Sequence, residues 1–184
     1  MIHSEFTEAE TIHINAVKSL LLDNIRVRFN QIDFPIPVGK MFLTGGAIAS
    51  ALQGLHPNDY DIYFKDELTL RAIQGHYLLE TDKVADVNEN YQEYVGKDGK
   101  LITSHATTMF NKIQFITRMS GSPQEIRDTF DYMHCKPYLD FDTGKLYISK
   151  QQYDACVQKR LIVNNSSFIS IGRRDKFIQR GYYI

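Results

Sequence analysis

Residues 41–64, MFLTGGAIASALQGLHPNDYDIYF, constrain the fold more than any other stretch of the 184-residue chain. Met41 to Leu43 form a short apolar run that reads as a strand. Thr44-Gly45-Gly46 follow, and then AIASALQGL, with good helix formers at apolar spacing. A glycine pair between strand and helix lets the backbone turn tightly and lets a ligand come close. The helix N-terminus behind it offers unpaired N–H groups to an anion, and Thr44 could add a hydroxyl. Asp59 and Asp61 then enter an apolar, aromatic run (Tyr60, Ile62, Tyr63, Phe64) that reads as a second strand. Residues two apart on a strand share a face, so two carboxylates project side by side. Like charges that close repel unless a cation sits between them. Hard oxygen ligands favour Mg²⁺ or Mn²⁺. A Gly-Gly turn alone is usually only a turn, and a D-x-D alone is more plainly an acidic edge strand. Together and in this order they point to a nucleoside triphosphate, ATP among the candidates, carried as its magnesium complex.

Gly-Gly, twelve intervening residues (47–58) and then Asp-x-Asp, the spacing in this chain, resembles the signature of the nucleotidyltransferase superfamily, which includes polymerase β, poly(A) polymerases and CCA-adding enzymes. LTGGAIASALQGLHPNDYDIYF is most similar to the head domain of CCA-adding and poly(A) polymerases. The resemblance implies an α/β (α+β) fold, a mixed β-sheet flanked by helices. It implies transfer of a nucleoside monophosphate from an NTP to a hydroxyl, on an RNA 3′ end, a protein or a small molecule, with release of pyrophosphate. Gly45 and Gly46, with Thr44, match the phosphate-binding turn; Asp59 and Asp61 match the catalytic, metal-binding pair. The chain departs from the family's pattern in two places. Ala49-Ser50 stand where CCA-adding enzymes have Arg-Asp. Gln114, in the alternating run NKIQFITR, stands where many members have a third carboxylate, and Asp131 is the neighbouring acid that could substitute. The alternative is a catalytically weak or inactive member acting as a nucleotide-, nucleic-acid- or host-protein-binding module. FDYMHCKPYLDF and RDKFIQRGYY also resemble small proteins of tailed bacteriophages and large viruses, which implies the host cytoplasm.

The rest of the chain reads as one domain over 1–184, with a core at about 38–148 and a C-terminal helical appendage at about 149–184. Thr7 and Glu10 form a capping-box pattern. It opens an amphipathic helix with Ile14, Val17, Leu21 and Ile25 at helical spacing. Pro35 and Pro37 in FPIPVGK force an extended link. Residues 66–80 read as a helix. Residues 81–100 are polar with a turn at Lys97-Asp98-Gly99, and residues 101–117 read as strands with a hairpin at Asn111-Lys112. Ser122-Pro123 reads as a helix start. MHCKPYLDF and KLYIS read as a hairpin about Asp142-Thr143-Gly144. Ser149 reads as the cap of a helix to about Lys159, and NNSS (164–167) as a loop before a last basic helix.

A hydrophobic share of 43% supports a core, and no apolar run is long enough to span a membrane. The acidic start MIHSEFTEAE lacks the pattern of a signal peptide. Cys135 and Cys156 read as free thiols of a reducing cytoplasm. His134 and Cys135, as neighbours on a strand, should face opposite ways and form no nucleophile–base pair. Six scattered histidines have no zinc-ligand spacing, and His105 reads as a sheet residue. Lys65, Lys112 and Arg118 lie near the strands, where one of them could touch a triphosphate. A net charge of −1 argues against a large nucleic-acid footprint. Lys159, Arg160, Arg173, Arg174, Lys176 and Arg180 nevertheless gather in the last 26 residues, opposed there only by Asp175. They read as a solvated helix face or, with Tyr182 and Tyr183, as a contact for an RNA end.

Overall fold

A computed structural model describes residues 5–32, 36–88, 91–96, 99–104, 107–110 and 112–184, with backbone alone for residue 74 and residues 76–110. The first helix, α1 (Glu8–Phe29), starts where the capping pattern places it. Thr7 Oγ1 accepts from the Glu10 N–H, and the Glu10 carboxylate accepts from the Thr7 N–H. Glu8 and Glu10 in its first turn and Arg26 and Arg28 in its last complement the helix dipole. Val17, Leu21 and Ile25, four apart, are its buried positions.

Strand β1 (Met41–Thr44) runs into α2 (Gly46–Leu52), and β2 (Tyr60–Phe64) returns antiparallel beside β1. Next come α3 (Glu67–Glu80) and the strands β3 (Thr81–Asn88), β4 (Tyr91–Gly96), β5 (Gly99–Ser104), β6 (Thr107–Phe110) and β7 (Ile113–Ile116). After α4 (Pro123–Asp128), the hairpin β8 (Tyr138–Asp140) and β9 (Lys145–Tyr147) leads to α5 (Lys150–Val157) and α6 (Ile171–Gln179). The sheet order is β3-β4-β5-β6-β7-β2-β1-β8-β9. Among the described residues β2–β7 is the one parallel pair, with Tyr60, Asp61 and Ile62 opposite Ile113, Gln114 and Phe115. The sheet is therefore mixed, flanked by helices, and its parallel seam carries the aspartate strand.

Period-two alternation splits the central strands between two cores. Met41, Leu43, Ile62, Phe64, Ile113 and Phe115 pack with α1 and α2. Phe42, Tyr63 and Ile116 pack on the other face with Ile126 of α4. Asp61, one residue before Ile62 and two before Tyr63, belongs to the second face. A third cluster joins Tyr132, Cys135, Leu161, Phe177 and Tyr182.

Three expectations are corrected. Within 81–100, read as polar with one turn, Thr81–Asn88 and Tyr91–Gly96 form the ribbon β3–β4 and Gly96 pairs with Gly99; residues 89, 90, 97 and 98 lie outside the described residues. Val38–Lys40 after Pro37 form a 3-10 turn rather than an extended link; Pro35 lies outside the described residues. Met133–Cys135 are also a 3-10 turn, not strand. Their backbone has other partners: the Met133 N–H donates to Ile162, and the Cys135 carbonyl accepts from Gly45. Pairing with β1 begins only at Tyr138, opposite Thr44. The turn at Asn111-Lys112 is flanked by the Phe110–Ile113 pair, with Lys112 at φ 66°; Asn111 and His105 lie outside the described residues.

Candidate active site

The glycine turn and the aspartate strand meet directly. Gly45 has φ 94°, the left-handed region that favours glycine. A β-carbon there would stand 3.3 Å from Asp61 Oδ2. The carboxylate therefore packs against bare backbone. A β-carbon at Gly46 would meet nothing within 4 Å, so the turn is open on that side. Asp61 is pushed up to about 7, chiefly by burial and then by the charge of Asp59. The positive charges of Arg173, Lys176 and Arg118 act on it in the opposite sense. Asp59 is exposed just ahead of β2. Asp61 thus lies half-buried on the strand, while Asp59 stands just outside the strand on which both were expected.

Gln114 is the residue opposite Asp61 across the parallel seam. It offers a neutral amide oxygen where a third carboxylate was sought. Asp131, the neighbouring acid, has partners of its own. It is buried at 2% exposure; Oδ1 accepts from the Tyr132 N–H and Oδ2 accepts from Arg173 Nε. The Thr44 hydroxyl is not free for a phosphate either. It is fully buried and shared between the carbonyls of Pro137 (2.8 Å) and Cys135 (3.2 Å). Of the turn residues, Gly46 is the open one, at the N-terminus of α2, whereas the Gly45 N–H donates to the Cys135 carbonyl at 3.1 Å.

The basic C-terminal residues separate. Arg173 and Lys176 act on Asp61, Arg174 with Arg173 on Tyr132, and Arg173 with Arg180 on His134. Lys65 is paired with Asp140 at 2.9 Å. Arg118 is the cation of the early trio whose charge reaches Asp61. The contact of Asp131 with Arg173 spans 42 residues and left no local signal in the sequence. Among the described residues no group of three or more His, Cys, Asp or Glu is arranged to hold a metal ion.

A family model described as Gad2, Gabija anti-defense 2 family protein, matches residues 16–159, more than three quarters of the chain. The chain belongs to the Gad2 family. This membership fits the resemblance to small phage-type proteins. A comparison with curated protein sequences finds no significant match. Solved structures supply the fold of this Gad2 family member. The Thermotoga maritima CCA-adding enzyme complexed with tRNA is similar at a TM-score of 0.55 and 16% identity, covering 93% of this chain and 42% of that one. A CCA-adding enzyme in complex with CTP is similar at a TM-score of 0.50 and 16% identity, covering 87% of this chain and 42% of that one. The Gad2 family chain has the nucleotidyltransferase fold and spans less than half the length of either enzyme.

The 3-10 turn brings His134 and Cys135 of the Gad2 family chain together, against the expectation from a strand. His134 Nε2 lies 3.4 Å from Cys135 Sγ. Burial, however, pushes the imidazole down to about 3 and the thiol up to about 12. Neither group ionises near neutral pH, so the pair is no activated nucleophile. Among the described residues no helix is long and apolar enough to cross a membrane.

Proposed function

We propose that the protein is a metal-dependent nucleotidyltransferase that moves a nucleoside monophosphate from an NTP to a hydroxyl, and that this transfer serves counter-defence against Gabija. The observation that carries the reading is Asp61, half-buried beside the charge of Asp59 and packed on the bare backbone of Gly45. The donor set suits a hard divalent cation such as Mg²⁺ or Mn²⁺: the ionised form of Asp61 is held at a cost that a cation would relieve. Asp59 and Asp61 would hold the metal, with the Gln114 amide oxygen beside them. A bound cation would offset the triphosphate charge and polarise the acceptor hydroxyl. The phosphates would lie against the Gly45-Gly46 turn on its open side, at Gly46. The acceptor oxygen bonds to the α-phosphorus as the bond to pyrophosphate breaks; the leaving group takes the electron pair, and the hydroxyl proton passes to water.

The acceptor classes are an RNA 3′ end, a protein and a small molecule, and the setting is the host cytoplasm. The test is incorporation of α-labelled NTPs with Mg²⁺ or Mn²⁺ into host RNA, protein and small-molecule fractions. The protein should label one fraction, and Asp59→Asn/Asp61→Asn should label none while keeping the wild-type melting curve. Labelling by that double variant would sink the mechanism. A second reading, a nucleotide-binding module without turnover, is favoured by Gln114 at the third position. It predicts a metal-dependent thermal shift with NTP and no labelled product.

A further inference from the structure

The charge balance of the proposed site is incomplete without cations from the protein. An NTP brings about four negative charges at neutral pH, and two aspartates would add two more against the two positive charges of one metal ion. The contacts of Arg173 identify the residue best placed to make up the difference. Its guanidinium is anchored on three sides: Nε donates to the buried Asp131 carboxylate, Nη2 lies 3.7 Å from Cys135 Sγ, and the plane sits 5.1 Å from the centre of the Phe177 ring. Cys135 in turn accepts the Gly45 N–H at 3.1 Å through its carbonyl. Gly45 packs on Asp61. One residue, Cys135, thus separates the guanidinium from the glycine turn. Among the described residues Nη1 has no partner, and the side chain keeps 44% of its surface exposed.

Resting on the nucleotidyltransferase reading, we propose that Arg173 binds the triphosphate from the C-terminal helix, and that Asp131 is its positioning residue rather than a metal ligand. The Asp131 carboxylate holds one edge of the guanidinium, which fixes the direction in which the outer N–H groups face. A planar fork held this way suits the oxygens of a phosphate group. Lys176, one turn further along α6, adds a point charge on the same side. Without Asp131, Arg173 keeps its charge but loses its aim, so the defect should appear in nucleotide affinity and not in the metal requirement.

The test is calorimetric binding of a non-hydrolysable ATP analogue to the full chain, titrated at several Mg²⁺ concentrations. Wild type is compared with Asp131→Asn, Arg173→Gln and Arg173→Lys. Asp131→Asn and Arg173→Gln should each weaken binding about tenfold, the loss expected for one charge-assisted contact. The combined Asp131→Asn/Arg173→Gln variant should lose little more than either single, and the Mg²⁺ midpoint should stay at the wild-type value. Arg173→Lys, at a half-exposed position, should fold normally and weaken binding several-fold; it carries the test if Asp131→Asn lowers the melting temperature. Wild-type affinity in Arg173→Gln and Arg173→Lys would overturn the proposal and leave the nucleotidyltransferase reading standing. A shifted Mg²⁺ midpoint in Asp131→Asn with normal affinity at saturating metal would make Asp131 a ligand and overturn it too. Absence of nucleotide binding by wild type would overturn both.

Discussion

Gly45 and Gly46 are neighbours with opposite tolerances. Alanine at Gly45 would have to adopt φ 94° and bring a methyl to 3.3 Å from Asp61 Oδ2. Gly45→Ala should cost about 1–3 kcal/mol in urea unfolding and weaken Mg·ATP binding. Alanine at Gly46 meets nothing within 4 Å and sits in the first turn of α2. Gly46→Ala should raise stability by about 0.5–1 kcal/mol. The same methyl would intrude on the phosphates, so nucleotide affinity should fall several-fold; unchanged affinity would remove Gly46 from the turn that holds them. His134 gives a pH prediction. Its ring lies between Phe177 (4.5 Å) and Tyr182 (4.4 Å). Burial first, then the charges of Arg173 and Arg180, hold it down to about 3 from an ordinary 6.5. Protonation therefore favours the unfolded chain. The contribution is full above the unfolded value and is lost as pH falls through the window from 6.5 towards 3. By pH 5 the loss should be about 2 kcal/mol, or about 5 °C in melting temperature. His134→Phe should flatten that acid slope, and parallel slopes for the two proteins would refute the assignment.

At the scale of elements, what was legible is what is local. Thr7 with Glu10 and Ser122 with Glu125 form reciprocal capping boxes, as does Ser149 with Gln152, and each helix begins where its cap stands. Alanine at any of the three should cost about 1 kcal/mol, read from the urea midpoint. The strand carrying Asp61 was legible for the same reason, since alternation and aromatic content are carried by adjacent residues, although Asp59 falls just outside it. The 3-10 turn at Met133–Cys135 was not. Its composition is that of a strand, and only its distant partners, Ile162 and Gly45, bend it. The Thr44 hydroxyl was misplaced for the same reason, because its acceptors lie more than ninety residues away. Gln114 was legible as the position to watch, and the register sets it against Asp61. Gln114→Glu tests what an acid would do there. In a chelator the third carboxylate should lower the melting temperature below wild type. With Mg²⁺ the variant should gain more than wild type does, at a lower metal midpoint. A metal response equal to that of wild type would place residue 114 outside the coordination.

Across the whole molecule the site is drawn from parts far apart in sequence. The glycine turn, the parallel seam and the last helix each supply a piece, and α6 is held by few large side chains. Phe177 is its buried residue, packed with Tyr132 and Tyr182. Phe177→Ala should cost about 3–5 kcal/mol if α6 unfolds only with the sheet. A smaller cost, with nucleotide binding lost and the sheet intact by circular dichroism, would mean that α6 detaches alone. The net charge of −1 agrees with cations placed singly at a site rather than as a track for long nucleic acid.

The Cys135 carbonyl reaches back 91 residues to receive Thr44, and beside it Gly45. Closing so long a loop is slow, because its entropy is lost before the contact forms. Helical signal should recover early during refolding, whereas nucleotide-binding competence should return only with the slowest phase. The ribosome imposes the same order: the turn and both aspartates leave the tunnel long before residue 135, so a nascent chain carries the motif without its function.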